Sequence, residues 1–369
     1  MTKADSAMTG PSPESCLADI PPKVLRNSAD LAEAGLIDAK NLPQLEAVGQ
    51  RFAIAITPTM ADLIDPQNPE DPIAKQFIPN IRELDAHPLD QPDPIGDQSH
   101  SPVTGIVHRY PDRLLLIPVK VCPVYCRFCF RRETVSNPEH ALLSDDELDT
   151  ALNYIRSHDE IWEVILSGGD PLLLSPRRLT RIISALSEMK HVGVIRIHTR
   201  VPVVDPERVS ALLLDALQSE TAVYVVLHTN HPQELTNAAR TACARIVDAG
   251  IPMLSQTVLL KDINDDAETL EALFRQLITY RVKPYYLHHA DRAPGTAHFR
   301  TTINNGRAIM QTLRSRVSGI CQPTYVLDIP GGAGKVPLEK EFVAEESLAH
   351  YKVRDHRGLT HEYNDTLTS

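Results

Sequence analysis

Apolar positions change their rhythm near Leu114. Residues 1–105 are rich in proline and acidic side chains, with helix-like stretches at Ser28 to Ala34 and Leu42 to Ala53 and a polar connection near Asp90 to Ser101. They read as a mainly helical accessory extension. From Leu114 onward, short apolar runs alternate with amphipathic stretches, the pattern of βα units around a parallel sheet. The predicted strands are Arg113–Val121, Trp162–Leu166, Val192–His198, Ala222–Leu227, Met253–Leu259, Pro284–His288 and Thr324–Leu327. Between them fall helices at about Ser144–Ser157, Pro176–Met189, Pro206–Leu217, Glu234–Ala249, Asp266–Tyr280 and Asn304–Val317. Ser144 precedes an acidic first turn, Asp205 precedes a proline at the first helical position, and Gly250 suits a helix C-terminus. The expected fold class is α/β: a partial (β/α)6-type, TIM-like barrel over residues 106–340, with a doubly wound sheet as the competitor. Residues 341–369 read as a polar tail.

The polar and glycine-rich strings favour the barrel. CPVYCRFCFRR, SGGDP, HTR, LHTNH, SQT, HHAD and DIPGGAGK each sit just after a predicted strand. In a barrel such loops gather at one face, so these strings are expected to converge.

Composition narrows the function classes. The chain is 42% hydrophobic and 23% charged, ordinary for a globular protein. Lys120 interrupts the strongest apolar run, Leu114 to Val124, well short of the roughly 18 residues that span a membrane. The first residues, MTKADSAMTGPSPES, lack the apolar segment of a secretory signal, so a cytoplasmic location is expected. A net charge of -11 argues against a nucleic-acid partner, because phosphate binding relies on a basic surface. Three of the six cysteines lie within eight residues, which does not resemble a secreted disulfide framework. Cys16, Cys243 and Cys321 are scattered and read as inert.

Cys122, Cys126 and Cys129 follow the spacing C-x-x-x-C-x-x-C on one loop. Three thiolates can hold three corners of a [4Fe–4S] cube and leave the fourth iron open to another ligand. A structural zinc site needs a fourth ligand and usually comes as two separated pairs, and no second pair exists here. SGGDP, at Ser167 to Pro171, taken alone also suits a plain strand-to-helix turn. In DIPGGAGK, Lys335 follows a glycine loop, where a lysine can form a Schiff base with a carbonyl cofactor. A solvated lysine after a turn is the bland alternative. A phosphate-binding loop is not met, because Val336 follows Lys335 and the glycine spacing differs.

The cysteine spacing, with an aromatic residue before the last cysteine, resembles the radical S-adenosylmethionine superfamily, in which the open iron is ligated by the cofactor's amino and carboxylate groups. SGGDP resembles the superfamily motif that holds that amino group. Taken together and in order, HRYPDR at His108 to Arg113, the cysteine string, SGGDP, HHAD with His298–Phe299, and DIPGGAGK resemble the lysine 2,3-aminomutase family, over roughly residues 50 to 340.

That resemblance implies a [4Fe–4S] cluster, S-adenosylmethionine and pyridoxal 5′-phosphate as cofactors. It implies that Lys335 carries the pyridoxal phosphate and that Arg109, Tyr110 and Arg113 surround its phosphate. Arg131 would grip the substrate carboxylate, and Asp291 with Asp328 would receive a distant ammonium group. Two acids for one cation select for L-lysine, since another side chain would leave them repelling each other. Ser167, Gly168, Gly169, Asp170, His228 and Gln256 would contact S-adenosylmethionine, with His198 and Arg200 as possible neighbours. The implied reaction moves the α-amino group of L-lysine to C3, giving β-lysine, after a 5′-deoxyadenosyl radical removes hydrogen from C3. An electron donor such as flavodoxin or ferredoxin is implied as a partner.

Longer family members carry a cysteine-bearing C-terminal extension that binds zinc between subunits. Residues 340–369 contain no cysteine, so no zinc is expected and a homo-oligomer is left open. Three rival readings remain at this stage. One is a branch that supplies β-lysine for modification of elongation factor P, another a mutase for glutamate or arginine, and the third a non-catalytic iron–sulfur protein.

Overall fold

The computed structural model describes residues 24–135, 141–339, 342–355 and 357–365. Cys16 and the leading residues 1–23 lie outside them.

Among its described residues the extension contains four short α-helices, α1 (Ser28–Glu33), α2 (Leu42–Arg51), α3 (Pro58–Ala61) and α4 (Pro72–Phe77). Their starts are chemically marked. The Asn27 side chain accepts from Asp30 N at 2.8 Å, and Asp71 accepts from Ile73 N at 2.9 Å, with Pro72 at the first position of α4. Leu31, Val48, Met60, Ile73 and Phe77 are buried, and all but Val48 belong to the same apolar core as the barrel strands.

The main sheet has nine strands in simple sequence order: β1 (Ile106–Tyr110), β2 (Arg113–Val119), β3 (Glu163–Gly168), β4 (Val194–Thr199), β5 (Ala222–His228), β6 (Met253–Leu259), β7 (Val282–His289), β8 (Thr324–Ile329) and β9 (Gly334–Pro337). Strands β2 to β8 are all parallel. Each crossover carries a helix: α5 (Asp145–Arg156), α6 (Pro176–Ser187), the short α7 (Val201–Val204) with α8 (Ala211–Ala216), α9 (Asn237–Asp248), α10 (Ala267–Thr279) and α11 (Ile303–Arg316). This is the expected α/β barrel of seven parallel strands, open between its first and last members.

Strand alternation sorts the residues of β4 cleanly. Ile195 and Ile197 are fully buried against the helices, each such side chain contributing about 1.5–3 kcal/mol, while Arg196 and His198 point the other way, into the barrel. Two further strands, β1 and β9, pair antiparallel with β2 and β8 at the edges of the parallel sheet, and neither is among the predicted strands. They meet across the gap, where Lys335 N donates to Tyr110 Oη at 2.7 Å.

The predicted helix Pro206–Leu217 is broken. Pro206–Arg208 forms a single 3-10 turn, and Ser210 then caps α8 by accepting from Leu213 N, so the Asp205–Pro206 start does not propagate. The helix expected from Glu234 begins instead at Asn237, capped by Thr236, because Glu234 is committed elsewhere. Gly250 has φ +84° directly after α9, the conformation anticipated for it. The polar stretch 341–369 contains a three-stranded antiparallel sheet, β10 (Val343–Ser347), β11 (His350–Arg354) and β12 (Thr360–Asn364), with no buried side chain. Among the described residues no helix is long and apolar enough to cross a membrane.

Candidate active site

The cysteine loop leaves the C-terminal end of β2 and is fastened to the extension. Tyr125 N donates to Ala55 O at 3.0 Å, Arg127 N to Gln76 O at 2.9 Å, and the Arg127 side chain to Ala53 O at 2.8 Å. Arg127 Nε lies 3.0 and 3.1 Å from the two oxygens of Glu83, and Arg132 pairs with the same carboxylate. Glu83 is wholly buried, and two guanidinium groups keep its carboxyl below the ordinary range although burial pushes it up. Nothing local in the sequence signals this clamp, which reaches back 44 residues.

Burial, then Asp170, raises the Cys122 thiol; burial, then Cys126, pushes Cys129 up to about 11. Half-buried thiols of this kind ionise on binding a metal, which releases their protons. Among the described residues, no three His, Cys, Asp or Glu side chains converge closely enough to share one ion. Three cysteines on one loop, each able to hold a separate iron of a cube, are the donor set that a [4Fe–4S] cluster takes.

SGGDP runs beside the chain that leads to Cys122. Gly169 N donates to Val119 O at 2.8 Å and Asp170 N to Val121 O at 2.9 Å. A Cβ on Gly169 would lie 2.2 Å from Val121 O, and Gly168 adopts φ +108°, so only glycine permits this approach. Asp170 has both carboxylate oxygens engaged, accepting from Leu172 N, Thr199 Oγ1 and Arg200 N. It therefore ties SGGDP to the loop after β4, a structural duty beside its expected cofactor contact.

His198, His228 and His288 lie on β4, β5 and β7, and each leaves a buried Nε2 without a partner among the described residues. Burial, then the positive Arg196, holds His198 well below its usual pKa; burial, then Arg200, does the same to His228. Three neutral imidazole nitrogens facing the barrel interior suit the polar groups of an organic ligand. Gln256 pairs in register with His228, and the Phe128 ring lies 5.8 Å from that of His228 and edge-on at 6.1 Å from that of Phe299, walling this end with carbon.

Lys335 sits on β9 opposite Asp328 on β8. Its ammonium donates to Asp328, lies 3.3 Å from His288 Nδ1 and stands 5.4 Å from the Tyr286 ring centre. Burial acts to raise Asp328, but hydrogen bonding to His288 and the charge of Lys335 hold it far below the carboxylate range. Asp291 behaves oppositely: burial, then the negative Asp328, pushes it up to about 7. Lys335 and Arg131 also act on Asp291, so the two acids, the lysine and the arginine share one electrostatic neighbourhood.

Asp97, from the polar connection before β1, joins two of the expected anion-binding groups. It accepts from Arg109 at 3.0 Å and from Arg131 at 2.8 Å, and Arg131 also reaches Ser167 Oγ at 3.3 Å. Arg109 Nε is buried and has no partner among the described residues, so the guanidinium retains a donor for a phosphate oxygen. Arg113 stacks 3.8 Å over the Tyr110 ring, with Asp112 at 2.7 Å. Sequence reasoning missed Asp97, Glu83, Gln76 and Glu234, because each acts on a partner far along the chain.

Comparisons with known proteins agree with this geometry. Residues 116–273 match the model of the radical SAM superfamily, and residues 310–367 match the model described as lysine-2,3-aminomutase. The L-lysine 2,3-aminomutase of Clostridium subterminale is 40% identical over 314 residues, covering 85% of this chain and 75% of that protein. The L-lysine 2,3-aminomutase of Escherichia coli (strain K12) is 35% identical, covering 88% of this chain and 94% of that protein. The glutamate 2,3-aminomutase of Clostridioides difficile is also 35% identical, over 88% of this chain and 77% of its own. Matches of this extent show that the chain belongs to the lysine 2,3-aminomutase family of radical S-adenosylmethionine enzymes.

Proposed function

We propose that the protein is an isomerase that converts L-lysine to β-lysine by moving the amino group from C2 to C3. The observation that carries this reading is the ion pair of Lys335 with Asp328, with Asp291 and Arg131 in the same electrostatic neighbourhood. A carboxylate-binding arginine and an acidic pair give the two-ended grip that a dibasic amino acid needs, and they oppose glutamate, whose second carboxylate would meet two acids.

Cys122, Cys126 and Cys129 would hold the cluster; Ser167, Gly168, Gly169, His228 and Gln256 would line S-adenosylmethionine; Lys335, Arg109, Tyr110 and Arg113 would hold pyridoxal phosphate. When bound, these groups supply the hydrogen-abstracting radical and the carrier of the migrating nitrogen. The chain's own work is positioning and exclusion. Arg131 fixes the carboxylate, Asp328 and Asp291 fix the far ammonium, and Phe128 and Phe299 keep water and oxidants from the cysteine loop. Asp97 keeps Arg131 aimed.

The reading extends to a low-potential electron carrier such as flavodoxin or ferredoxin, because a cluster of this kind needs one electron from outside. It extends also to a cytoplasmic setting, supported by the free thiols of the described cysteines. An anaerobic assay with reductant, both cofactors and separate lysine, glutamate and arginine arms, analysed for positional isomers, tests the whole. β-Lysine from lysine is expected; a 3-amino product from glutamate alone would overturn the assignment.

A further inference from the structure

Arg200 follows β4 and is buried. One of its terminal nitrogens lies 2.7 Å from Cys126 Sγ. The other lies 2.7 Å from Glu234 Oε2 and 2.7 Å from Gln76 Oε1. Glu234 is wholly buried and accepts in addition from Gln76 Nε2 at 3.1 Å and from the backbone nitrogens of Asn230 and His231, each at 2.9 Å. Phe77, 4.7 Å from the guanidinium, and Phe128, 5.6 Å away, keep the surroundings apolar. A fork held this firmly by a buried carboxylate and a buried amide has little freedom to leave the cysteine.

The physical consequence is redox. One-electron reduction adds a negative charge that a [4Fe–4S] cluster shares with its cysteine sulfurs, and hydrogen bonds to those sulfurs and nearby charge set the potential. A cation donating to Cys126 Sγ stabilises the reduced form more than the oxidised one, while the Glu234 carboxylate behind it offsets part of that charge. We propose that Arg200 raises the reduction potential of the cluster through Cys126, and that Glu234 and Gln76 are the positioning residues that hold it there and moderate its effect. The electron comes from an external one-electron donor, and no covalent bond changes in this step. The inference rests on the reading of Cys122, Cys126 and Cys129 as cluster ligands.

The test is a potentiometric titration of the full chain, anaerobically reconstituted with iron and sulfide and followed by the electron paramagnetic resonance signal of the reduced cluster. Replacing Arg200 alone by a neutral residue strands Glu234 as a buried charge, so the informative variants are the double Arg200→Gln with Glu234→Gln and the single Glu234→Gln. The double variant is expected to leave about tenfold less cluster reduced at a fixed solution potential, a shift of about 59 mV to the negative side for one electron. Glu234→Gln is expected to shift the opposite way, because the Arg200 charge is then less compensated. A merely structural role for Arg200 would not give shifts of opposite sign. Both variants titrating with the wild type at full iron content would overturn the proposal. If the double variant fails to take up iron, Glu234→Gln alone decides: a potential equal to the wild type at full iron content overturns the proposal. A wild type that takes up no cluster defeats the underlying reading, and does so separately from the tuning argument.

Discussion

Asp328 and Lys335 face each other in register across β8 and β9, and the ammonium of Lys335 donates to the Asp328 carboxylate. The residue expected to carry the cofactor and the residue expected to bind the far end of the substrate are thus one ion pair in the ligand-free chain. Converting the lysine nitrogen to an uncharged form would release Asp328 for another ammonium. Asp328→Asn is therefore expected to weaken lysine binding by about 2 kcal/mol, roughly thirtyfold, with iron content unchanged. Calorimetric titration with lysine beside an iron assay checks both halves, and unchanged affinity would place the substrate ammonium elsewhere.

The raised Asp291 predicts a pH dependence. Its folded pKa of about 7 lies above the ordinary 3.8, so protonation is favoured in the folded state, and its effect on stability turns unfavourable as pH rises from about 4 to about 7. Binding of a cation has the opposite need, since only the ionised acid attracts it. Lysine affinity is expected to increase as pH rises through about 7, and Asp291→Asn to flatten that rise. Equal pH profiles for the two proteins would remove Asp291 from the substrate site.

Glu83 is the buried counter-charge for both Arg127 and Arg132, on either side of Cys129. Glu83→Gln leaves two guanidinium groups short of a partner and is expected to cost about 3–5 kcal/mol, seen as a lower thermal midpoint and poor iron uptake. Cys126→Ala is the contrasting variant, expected to lose the cluster while far-ultraviolet circular dichroism still reports a folded barrel.

Gly96 adopts φ +69°, and a Cβ there would sit 2.6 Å from the Gly331 carbonyl carbon. Gly96→Ala should displace the turn between β8 and β9 and with it Lys335. Pyridoxal phosphate retention, measured by borohydride trapping, is expected to fall at least tenfold while iron content stays at the wild-type value. Parallel loss of both would mean that the substitution unfolds the barrel instead.

Much of this arrangement was legible in the sequence, for identifiable reasons. The seven parallel strands announce themselves because buried strands are runs of Val, Ile and Leu, and the site strings were legible because βα loops share one face. The added edge strands β1 and β9 were not, since His108–Arg113 is mostly polar and Gly331–Gly334 reads as an unstructured turn. The sheet over 343–364 escaped notice because its side chains lie exposed or half-exposed on both faces and show no alternation. The supporting carboxylates Glu83, Asp97 and Glu234 carry no local signature, because a buried ion pair is a property of two distant positions and neither alone resembles a site.

The clamp on the cysteine loop bears on the order in which the molecule is put together. Ala53, Ala55, Gln76 and Glu83 all precede the loop by at most 74 residues, so these contacts can close once the first third of the chain has emerged. Lys335, by contrast, meets Tyr110 across a separation of 225 residues. Contacts of short separation form early and those of long separation late. The clamp on the cysteine loop can therefore form early in folding, and the contact of Lys335 with Tyr110 only when the last strands arrive.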